Sequence, residues 1–274
     1  MKKLFTNNRM MNCTRKVWLY SMFLVLASCA AAKLAENKKP VFYIIGDSTV
    51  RNGDGSGKNQ QWGWGSLLAN YFDTTKISVQ NHAIGGRSSR TFITEGRWDK
   101  ILANLKKGDY VIMQFGHNDD WPLDDTARAR GSIKGIGEDS KVIYNPITKK
   151  REVVYTYGYY MRKYIRDTKS RGAIAIVCSR VPGDNWKEGK VSRVNETYGL
   201  WARQLATKEG VFFIDLNNMV ADRYETMGAE AVRAFFPADH THTSLEGARL
   251  NAEMVVAGLK RLKPGRLARY LRSS

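Results

Sequence analysis

The chain has 274 residues, of which 43% are hydrophobic and 26% are charged. A chain of this length and composition can bury a core as one globular domain, which excludes a disordered or low-complexity protein. Its 24 glycines and 6 prolines follow no period, which excludes a collagen-like chain. The formal net charge of +18 favours anionic partners.

The first segment of the chain is typical of an export signal. Five cations and no acid lie within residues 1–16, and an apolar run from Val17 to Ala27 follows them. This run is shorter than the roughly 20 residues that a membrane-spanning helix needs. The sequence therefore predicts a signal peptide over residues 1–28 and an exported protein.

The residues that follow the apolar run offer two ways of processing the signal. Leu26-Ala27-Ser28-Cys29 resembles the bacterial lipobox, in which the cysteine carries the lipid. Cys29 would then anchor the protein in the bacterial envelope, on its periplasmic or outer surface, with residues 29–40 as a tether. Cleavage after Ala30 or Ala32 would instead release a secreted protein. In either case we expect no nucleic-acid partner, because an exported basic protein meets acidic polysaccharides and lipid head groups.

From Val41 onward, buried apolar runs alternate with amphipathic stretches. The strand candidates are Val41 to Ile45, Ile77 to Asn81, Tyr110 to Phe115, Ala173 to Ser179 and Val211 to Ile214. The helix candidates are Trp64 to Phe72, Arg97 to Leu105, Tyr159 to Arg171, Val194 to Lys208 and Leu245 to Leu262, the last opened by a capping box at Thr243-Ser-Leu-Glu246. This pattern predicts an α/β domain over residues 41–262, a three-layer, doubly wound, parallel five-stranded sheet in the flavodoxin-like order.

Two segments stand apart from this alternation. The stretch from Asp119 to Thr156 is long and irregular, and two β-prone runs around Pro146 to Lys150 predict a hairpin within it that forms a lid. Residues 263–274 carry cations and no acid, and we expect them to form a basic tail outside the domain.

Polar loops follow three of the predicted strands, and a fourth polar stretch precedes the last helix. These four segments are Gly46-Asp47-Ser48-Thr49, Gly85-Gly86-Arg87-Ser88-Ser89-Arg90, Gly116-His117-Asn118-Asp119-Asp120 and Asp239-His240-Thr241-His242. Parallel strands end at one edge of a sheet, which is where ligands bind in this architecture. We therefore expect the four segments to converge there.

The residue types in these segments suit acyl transfer. A serine becomes a nucleophile when a base takes its proton and a third group orients that base, roles open to Ser48, His242 and Asp239. The developing oxyanion also needs donors, which the Ser48 amide, the Gly86 amide and the Asn118 side chain can supply. This chemistry needs no cofactor.

The four segments together resemble the blocks of the GDSL or SGNH hydrolase superfamily. Their longer versions, such as Gly-Arg-Ser-Ser-Arg90 and Phe236-Pro-x-Asp-His-Thr-His-Thr-Ser244, resemble rhamnogalacturonan acetylesterases, and the likeness extends from about Val41 to Gly258. The resemblance implies an SGNH fold in which Ser48 attacks an acetyl carbonyl. It further implies that His242 acts as general base and acid, that Asp239 orients the imidazole, and that Ser48, Gly86 and Asn118 form the oxyanion hole.

Other polar residues of these segments leave two interpretations open. Arg87 and Arg90 are candidate contacts to the carboxylates of a galacturonate-containing substrate, or solvated side chains. We expect His117 and His240 to be structural hydrogen-bonding residues. The pair His240 and His242 beside Asp239 suggests a metal site, but no further cluster at ligand spacing accompanies it, so we predict no metal.

The sequence thus predicts an exported serine esterase that removes acetyl groups from an acidic pectic polysaccharide, rhamnogalacturonan. Alternatives within enzymes are an acetylesterase acting on xylan or another glycan, and a lipolytic acylhydrolase. From a different class, the chain would be a surface lipoprotein that binds glycans without turnover.

Overall fold

A computed structural model describes residues 39–272 of the chain, and the residues from Pro40 onward form one compact unit. The predicted signal peptide, Cys29 and all but the end of the predicted tether lie outside the described residues. No helix within residues 39–272 is both long enough and apolar enough to cross a bilayer.

The centre of the domain is a sheet of five parallel strands. Its strands are β1 (Val41–Gly46), β2 (Ser78–Asn81), β3 (Tyr110–Gln114), β6 (Ile174–Cys178) and β9 (Phe212–Ile214). Their order is β2-β1-β3-β6-β9, and Ile44 pairs with Ile112 where β1 meets β3. The predicted doubly wound sheet and its flavodoxin-like order are confirmed.

Helices cover both faces of this sheet, as the apolar strand sequences require. The helices are α1 (Ser89–Thr94), α2 (Arg97–Leu102), α3 (Tyr157–Ser170), α4 (Tyr198–Glu209), α5 (Leu216–Met227), α6 (Ala229–Arg233) and α7 (Leu245–Arg261). In β1, Phe42 and Ile44 face the core beneath α5 and α7, while Tyr43 and Ile45 face the core beneath α1 to α4. The three-layer arrangement follows from this alternation.

Three element predictions are wrong in detail. The segment from Trp64 to Phe72 forms two 3₁₀ turns and no α-helix. Its first amides bond to the loop after β1: Trp64 N–H to the Thr49 carbonyl at 3.1 Å and Gly65 N–H to the Val50 carbonyl at 2.9 Å. The N-cap of helix α7 is Ser244 and not Thr243: the Ser244 hydroxyl accepts the Gly247 N–H, while the Thr243 hydroxyl donates to the Trp62 carbonyl. Helices α1, α5 and α6 lie where no helix was predicted.

Two β-hairpins lie outside the main sheet. Strands β4 (Ser140–Asn145) and β5 (Lys150–Tyr155) pair antiparallel, which confirms the hairpin predicted within the long segment after β3. Strands β7 (Trp186–Lys187) and β8 (Lys190–Val191) form a shorter hairpin. The longer hairpin directly precedes α3 along the chain.

The C-terminal residues are part of the domain, contrary to the boundary predicted at residue 262. Leu267 is only 5% exposed and joins the core beneath α5 and α7. The Arg272 N–H donates to the Tyr71 carbonyl at 2.9 Å, and Leu271 bridges to Phe72. Leu267 and Leu271, which lie between the cations, hold this segment against the domain. Residues 263–272 are therefore not a solvated tail.

Candidate active site

Ser48 lies in a tight turn directly after β1, and buried polar contacts fix this turn. Asp47 Oδ1 accepts both the N–H and the hydroxyl of Thr49, at 2.9 and 2.7 Å. Gln114 at the end of β3 donates to the Thr49 hydroxyl at 2.6 Å and accepts the Trp64 indole N–H at 3.0 Å. All four side chains of this network are buried, whereas Ser48 faces a cleft.

The structure places Ser48, His242 and Asp239 in one hydrogen-bonded chain. His242 Nε2 lies 2.8 Å from Ser48 Oγ, and His242 Nδ1 lies 2.7 Å from Asp239 Oδ2. These three side chains come from opposite ends of the sequence and meet because β1 and the loop before α7 lie at the same sheet edge. An imidazole held this way can take the serine proton and return it to a leaving group.

Asp239 is held in place by several donors. Its Oδ1 accepts the N–H groups of Thr241 and His242, each at 2.7 Å, and Gln61 Nε2 donates to Oδ2 at 3.2 Å. Partial desolvation favours a higher pKa for Asp239, but the hydrogen bonds from His242 and Thr241 outweigh it and lower the pKa. Asp239 is therefore ionised where His242 must accept a proton.

The expected oxyanion donors also line this cleft. Gly86 has φ +75°, which favours glycine, and a Cβ there would collide with the Arg128 guanidinium. Within residues 39–272, the N–H groups of Ser48 and Gly86 bond to no other group of the chain. Asn118 Nδ2 donates to the Arg87 carbonyl at 3.1 Å, and its Oδ1 accepts Arg130 Nη1 at 3.0 Å, so the amide is oriented from both ends.

Arg90 is not in the cleft, contrary to its prediction as a substrate contact. It is 0% exposed, and its guanidinium forms a bidentate ion pair with Glu152 on β5, at 2.8 and 2.7 Å. A third nitrogen donates to the Leu123 and Gly131 carbonyls. Arg90 points inward because it lies in α1, a helix the sequence prediction missed, and it ties the β4–β5 hairpin to the body.

Arg87 is likewise committed to the chain itself. Its Nε donates to Glu95 at 3.0 Å and its Nη1 to the Gly85 carbonyl at 3.0 Å. The guanidinium stabilises the loop that carries Gly86 and does not line the cleft. Both arginines predicted from their place in the second block are thus structural.

His240 fits its predicted role as a structural hydrogen-bonding residue, whereas His117 does not, because its buried Nε2 has no hydrogen-bond partner within residues 39–272. His240 is 75% exposed, and its Nδ1 lies 3.1 Å from the Asp184 carbonyl. His117 lines the cleft, where burial and the nearby Arg180 lower its pKa well below the usual value. His117 is therefore neutral at physiological pH, and neither ring replaces His242 beside Ser48.

Asp47 is buried beside the candidate nucleophile, and burial raises its pKa to about 6 against hydrogen bonds from Thr49 that lower it. Its Oδ2 has no hydrogen-bond partner among residues 39–272. Because the folded chain binds a proton here more tightly than the unfolded chain, this group destabilises the fold progressively as pH rises from about 4 to about 6.

Asp47→Asn removes this charge while keeping the acceptor for Thr49. We expect the variant to exceed the wild type in free energy of unfolding by about 1–3 kcal/mol at pH 8, with the difference vanishing below pH 4. Urea unfolding at pH 4 and at pH 8 measures this difference in the free energy of unfolding. The control is Asp222→Asn, which removes an exposed carboxylate paired with Arg193. Its free energy of unfolding should change with pH as that of the wild type does. An Asp47→Asn advantage equal at pH 4 and pH 8 would contradict this account.

The cleft of about 700 Å³ includes side chains that the sequence analysis did not select. Gln61, Arg128 and Arg130 lie in loops whose course the sequence pattern does not define. Arg180 directly follows the predicted strand from Ala173 to Ser179. Residues that follow parallel strands meet at one edge of the sheet, and this argument, which located Ser48 and Asn118, would also have located Arg180.

Comparisons with known proteins agree with this geometry. The profile of the GDSL-like Lipase/Acylhydrolase family matches residues 44–250. The chain is 32% identical over 212 residues to the rhamnogalacturonan acetylesterase of Emericella nidulans, covering 77% of this chain and 81% of the relative. It is 31% identical over 226 residues to the probable rhamnogalacturonan acetylesterase YesY of Bacillus subtilis, covering 80% and 92%.

Solved structures share the fold. The protein YxiM of Bacillus subtilis matches with a TM-score of 0.65 and 29% identity, over 82% of this chain and 57% of that one. An acetylxylan esterase of Geobacillus stearothermophilus matches with a TM-score of 0.53 and 18% identity, over 80% and 93%, which supports the fold alone. The chain therefore belongs to the GDSL-like lipase/acylhydrolase family, within the SGNH superfamily and close to the rhamnogalacturonan acetylesterases, and it is a carboxylic ester hydrolase.

Proposed function

We propose that the protein is a serine carbohydrate esterase that removes O-acetyl groups from rhamnogalacturonan, a pectic polysaccharide. The observation that carries the proposal is the continuous chain from Ser48 through His242 to Asp239, which opens into a polar cleft beside Gly86 and Asn118. Two relatives above 30% identity are named for this activity.

In the proposed acylation step, Ser48 Oγ bonds to the acetyl carbonyl carbon and its proton passes to His242 Nε2. The carbonyl oxygen becomes an oxyanion, for which the Ser48 and Gly86 amides and the Asn118 side chain are the donors. The bond between the acetyl carbon and the sugar oxygen then breaks. The sugar oxygen takes the proton from His242 and leaves as an alcohol, with acetyl-Ser48 left behind.

Deacylation repeats these moves with water as the nucleophile. His242 takes a proton from the water, the resulting hydroxide bonds to the acetyl carbon, and the bond to Ser48 Oγ breaks. Ser48 recovers its proton from His242 and acetate departs. Asp239 stays ionised throughout and stabilises the imidazolium that forms twice in the cycle.

The cleft supports a carbohydrate ester over a long-chain lipid ester. Its lining consists of polar and charged side chains and glycines apart from Ile84 and Trp121, so it offers no apolar channel for an acyl chain. Trp121 is 50% exposed at the cleft and presents a flat surface of the kind on which a sugar ring packs.

The test is acetate release from acetylated rhamnogalacturonan, with acetylated homogalacturonan and acetylated xylan in parallel and Ser48→Ala as the blank. We expect faster release from the two galacturonate-containing polymers than from xylan because the cleft is cationic. We expect the fastest release from rhamnogalacturonan because two relatives are named for this substrate. Faster release from xylan would keep the esterase and discard the pectic substrate. Glycan binding without acetate release from any polymer would favour the non-enzymatic alternative.

A further inference from the structure

The cleft that holds Ser48 carries strong positive charge. Arg128, Arg130 and Arg180 all line it, and none of its lining side chains is acidic. Arg180 is partly compensated, because it donates to the Gly116 carbonyl at 3.3 Å and interacts with the buried carboxyls of Asp47 and Asp119. Arg130 interacts with Asp125, but neither Arg128 nor Arg130 forms an ion pair within residues 39–272.

Arg128 has a side chain that is not engaged within the described part of the chain. No ion pair or hydrogen bond forms on its guanidinium, whose Nη1 lies directly over Gly86. The carboxylate of Asp125, three residues before Arg128, uses its two oxygens on the backbone, accepting the N–H of Arg128 at 3.0 Å and that of Arg130 at 2.9 Å. The guanidinium is thus left facing the cleft beside the candidate oxyanion hole.

Arg130 is held in position without a carboxylate. Its guanidinium lies 4.0 Å from the centroid of the Trp121 ring, and its Nη1 donates to Asn118. Its Nε is buried and has no hydrogen-bond partner. Burial lowers the pKa of Arg130, the neighbouring Arg128 lowers it further, and Asp125 opposes both. Two cations close together favour an anion between them.

The backbone between these two arginines is strained. Ala129 has φ +47°, in the left-handed region that a residue with a Cβ seldom adopts, and it is 1% exposed. The Ala129 N–H donates to the Asp125 carbonyl at 2.8 Å and so fixes the turn. Such strain is retained where a site depends on the resulting geometry, here the aim of both arginines into one cleft.

Three other arginines of the domain show the contrasting case, in which acids neutralise the guanidinium. Arg90 pairs with Glu152, Arg193 with Asp222 and Glu225, and Arg166 with Glu209. Arg128 and Arg130 differ because both face the cleft without a carboxylate on the guanidinium.

We propose that Arg128 and Arg130 form a carboxylate-binding subsite that holds a uronate residue of the substrate next to Ser48. The subsite rests on the proposed function, since a pectic backbone supplies uronate carboxylates. Gly85 and Gly86 connect it to the nucleophile: a Cβ on Gly85 would stand 3.6 Å from Ser48 Cβ, and the Arg128 guanidinium covers Gly86. A guanidinium binds a planar carboxylate through paired N–H groups, which neutral sugars cannot match.

The experiment measures inhibition of 4-nitrophenyl acetate hydrolysis by D-galacturonate, with D-galactose as the neutral counterpart. We expect galacturonate to inhibit competitively with an inhibition constant about 10-fold below that of galactose, and the difference to shrink as salt is raised. Arg128→Gln should abolish the difference, and Arg128→Lys should keep part of it. Arg166→Gln, which removes a surface cation paired with Glu209, should retain it fully.

The outcome separates the subsite from the substrate assignment. Equal inhibition of the wild type by galacturonate and galactose overturns the subsite, as does a galacturonate preference unchanged by Arg128→Gln. The wild-type comparison stands even if Arg128→Gln fails to fold. Acetate release from the polymer panel is a different measurement, so rhamnogalacturonan can be excluded as a substrate while preferential galacturonate inhibition still supports the subsite.

Discussion

Ser48→Ala and His242→Ala will each lower kcat for acetate release by about 10³-fold or more, and the double variant will lose little beyond either single variant. The reason is that the two side chains act as one unit. His242 Nε2 is 2.8 Å from Ser48 Oγ, so removing either group leaves no route for the proton that must leave the serine. Initial rates on acetylated rhamnogalacturonan and on 4-nitrophenyl acetate measure the effect.

The control for this prediction is a second histidine from the same loop. His240 lies two residues before His242 but is 75% exposed and bonds to the Asp184 carbonyl away from the nucleophile. His240→Ala should retain activity within a few-fold of the wild type. Thermal unfolding of each variant checks that the fold is intact. A folded His242→Ala variant with near wild-type turnover would contradict the proposed triad.

Asn118→Ala should lower kcat by about 10² to 10³-fold with little change in KM, because its amide donates to a charge that exists only in the transition state. The amide is oriented in advance: Arg130 binds Oδ1 at 3.0 Å and the Arg87 carbonyl accepts one N–H at 3.1 Å, which leaves the other N–H for the oxyanion. Steady-state kinetics that separate kcat from KM test this.

Asn104→Ala is the matched control, because its amide donates to the Lys100 carbonyl on the surface beyond α2. It should not change either constant. If Asn118→Ala instead raised KM and left kcat unchanged, Asn118 would contribute to ground-state binding, and the proposed oxyanion hole would lose its side-chain donor.

Much of the fold follows from local sequence, for a physical reason. Strands β1, β3 and β6 are buried on both faces, so their apolar runs are continuous and their ends are easily found. The convergence of Ser48, Asn118 and His242 then follows from the parallel topology. Helix α1 escaped prediction because it is short and carries polar residues in its buried part, where Ser88 and Thr91 cap its first turn.

The sequence does not show in which direction an arginine side chain points. Arg87 and Arg90 lie within four residues of Gly86 along the chain. Both guanidiniums nevertheless donate to carboxylates and carbonyls of the protein itself. Arg128 and Arg130 lie about 40 positions later and reach the cleft through a turn whose left-handed residue is Ala129. Alanine gives no sign of such a conformation in a sequence, so only the folded chain reveals which arginines line the cleft.

The ion pair between Arg90 and Glu152 has a consequence for which parts of the β4–β5 hairpin can vary. Glu152 pairs with Ile143 in the half of the hairpin nearer the turn, and Asn145 at the turn donates to the same carboxylate at 2.6 Å. The turn end is thereby fastened to α1, while the side chains of Tyr144 and Ile147 are exposed. Substitutions at these exposed positions can therefore change the outer surface of the hairpin while the residues that hold it in place are kept.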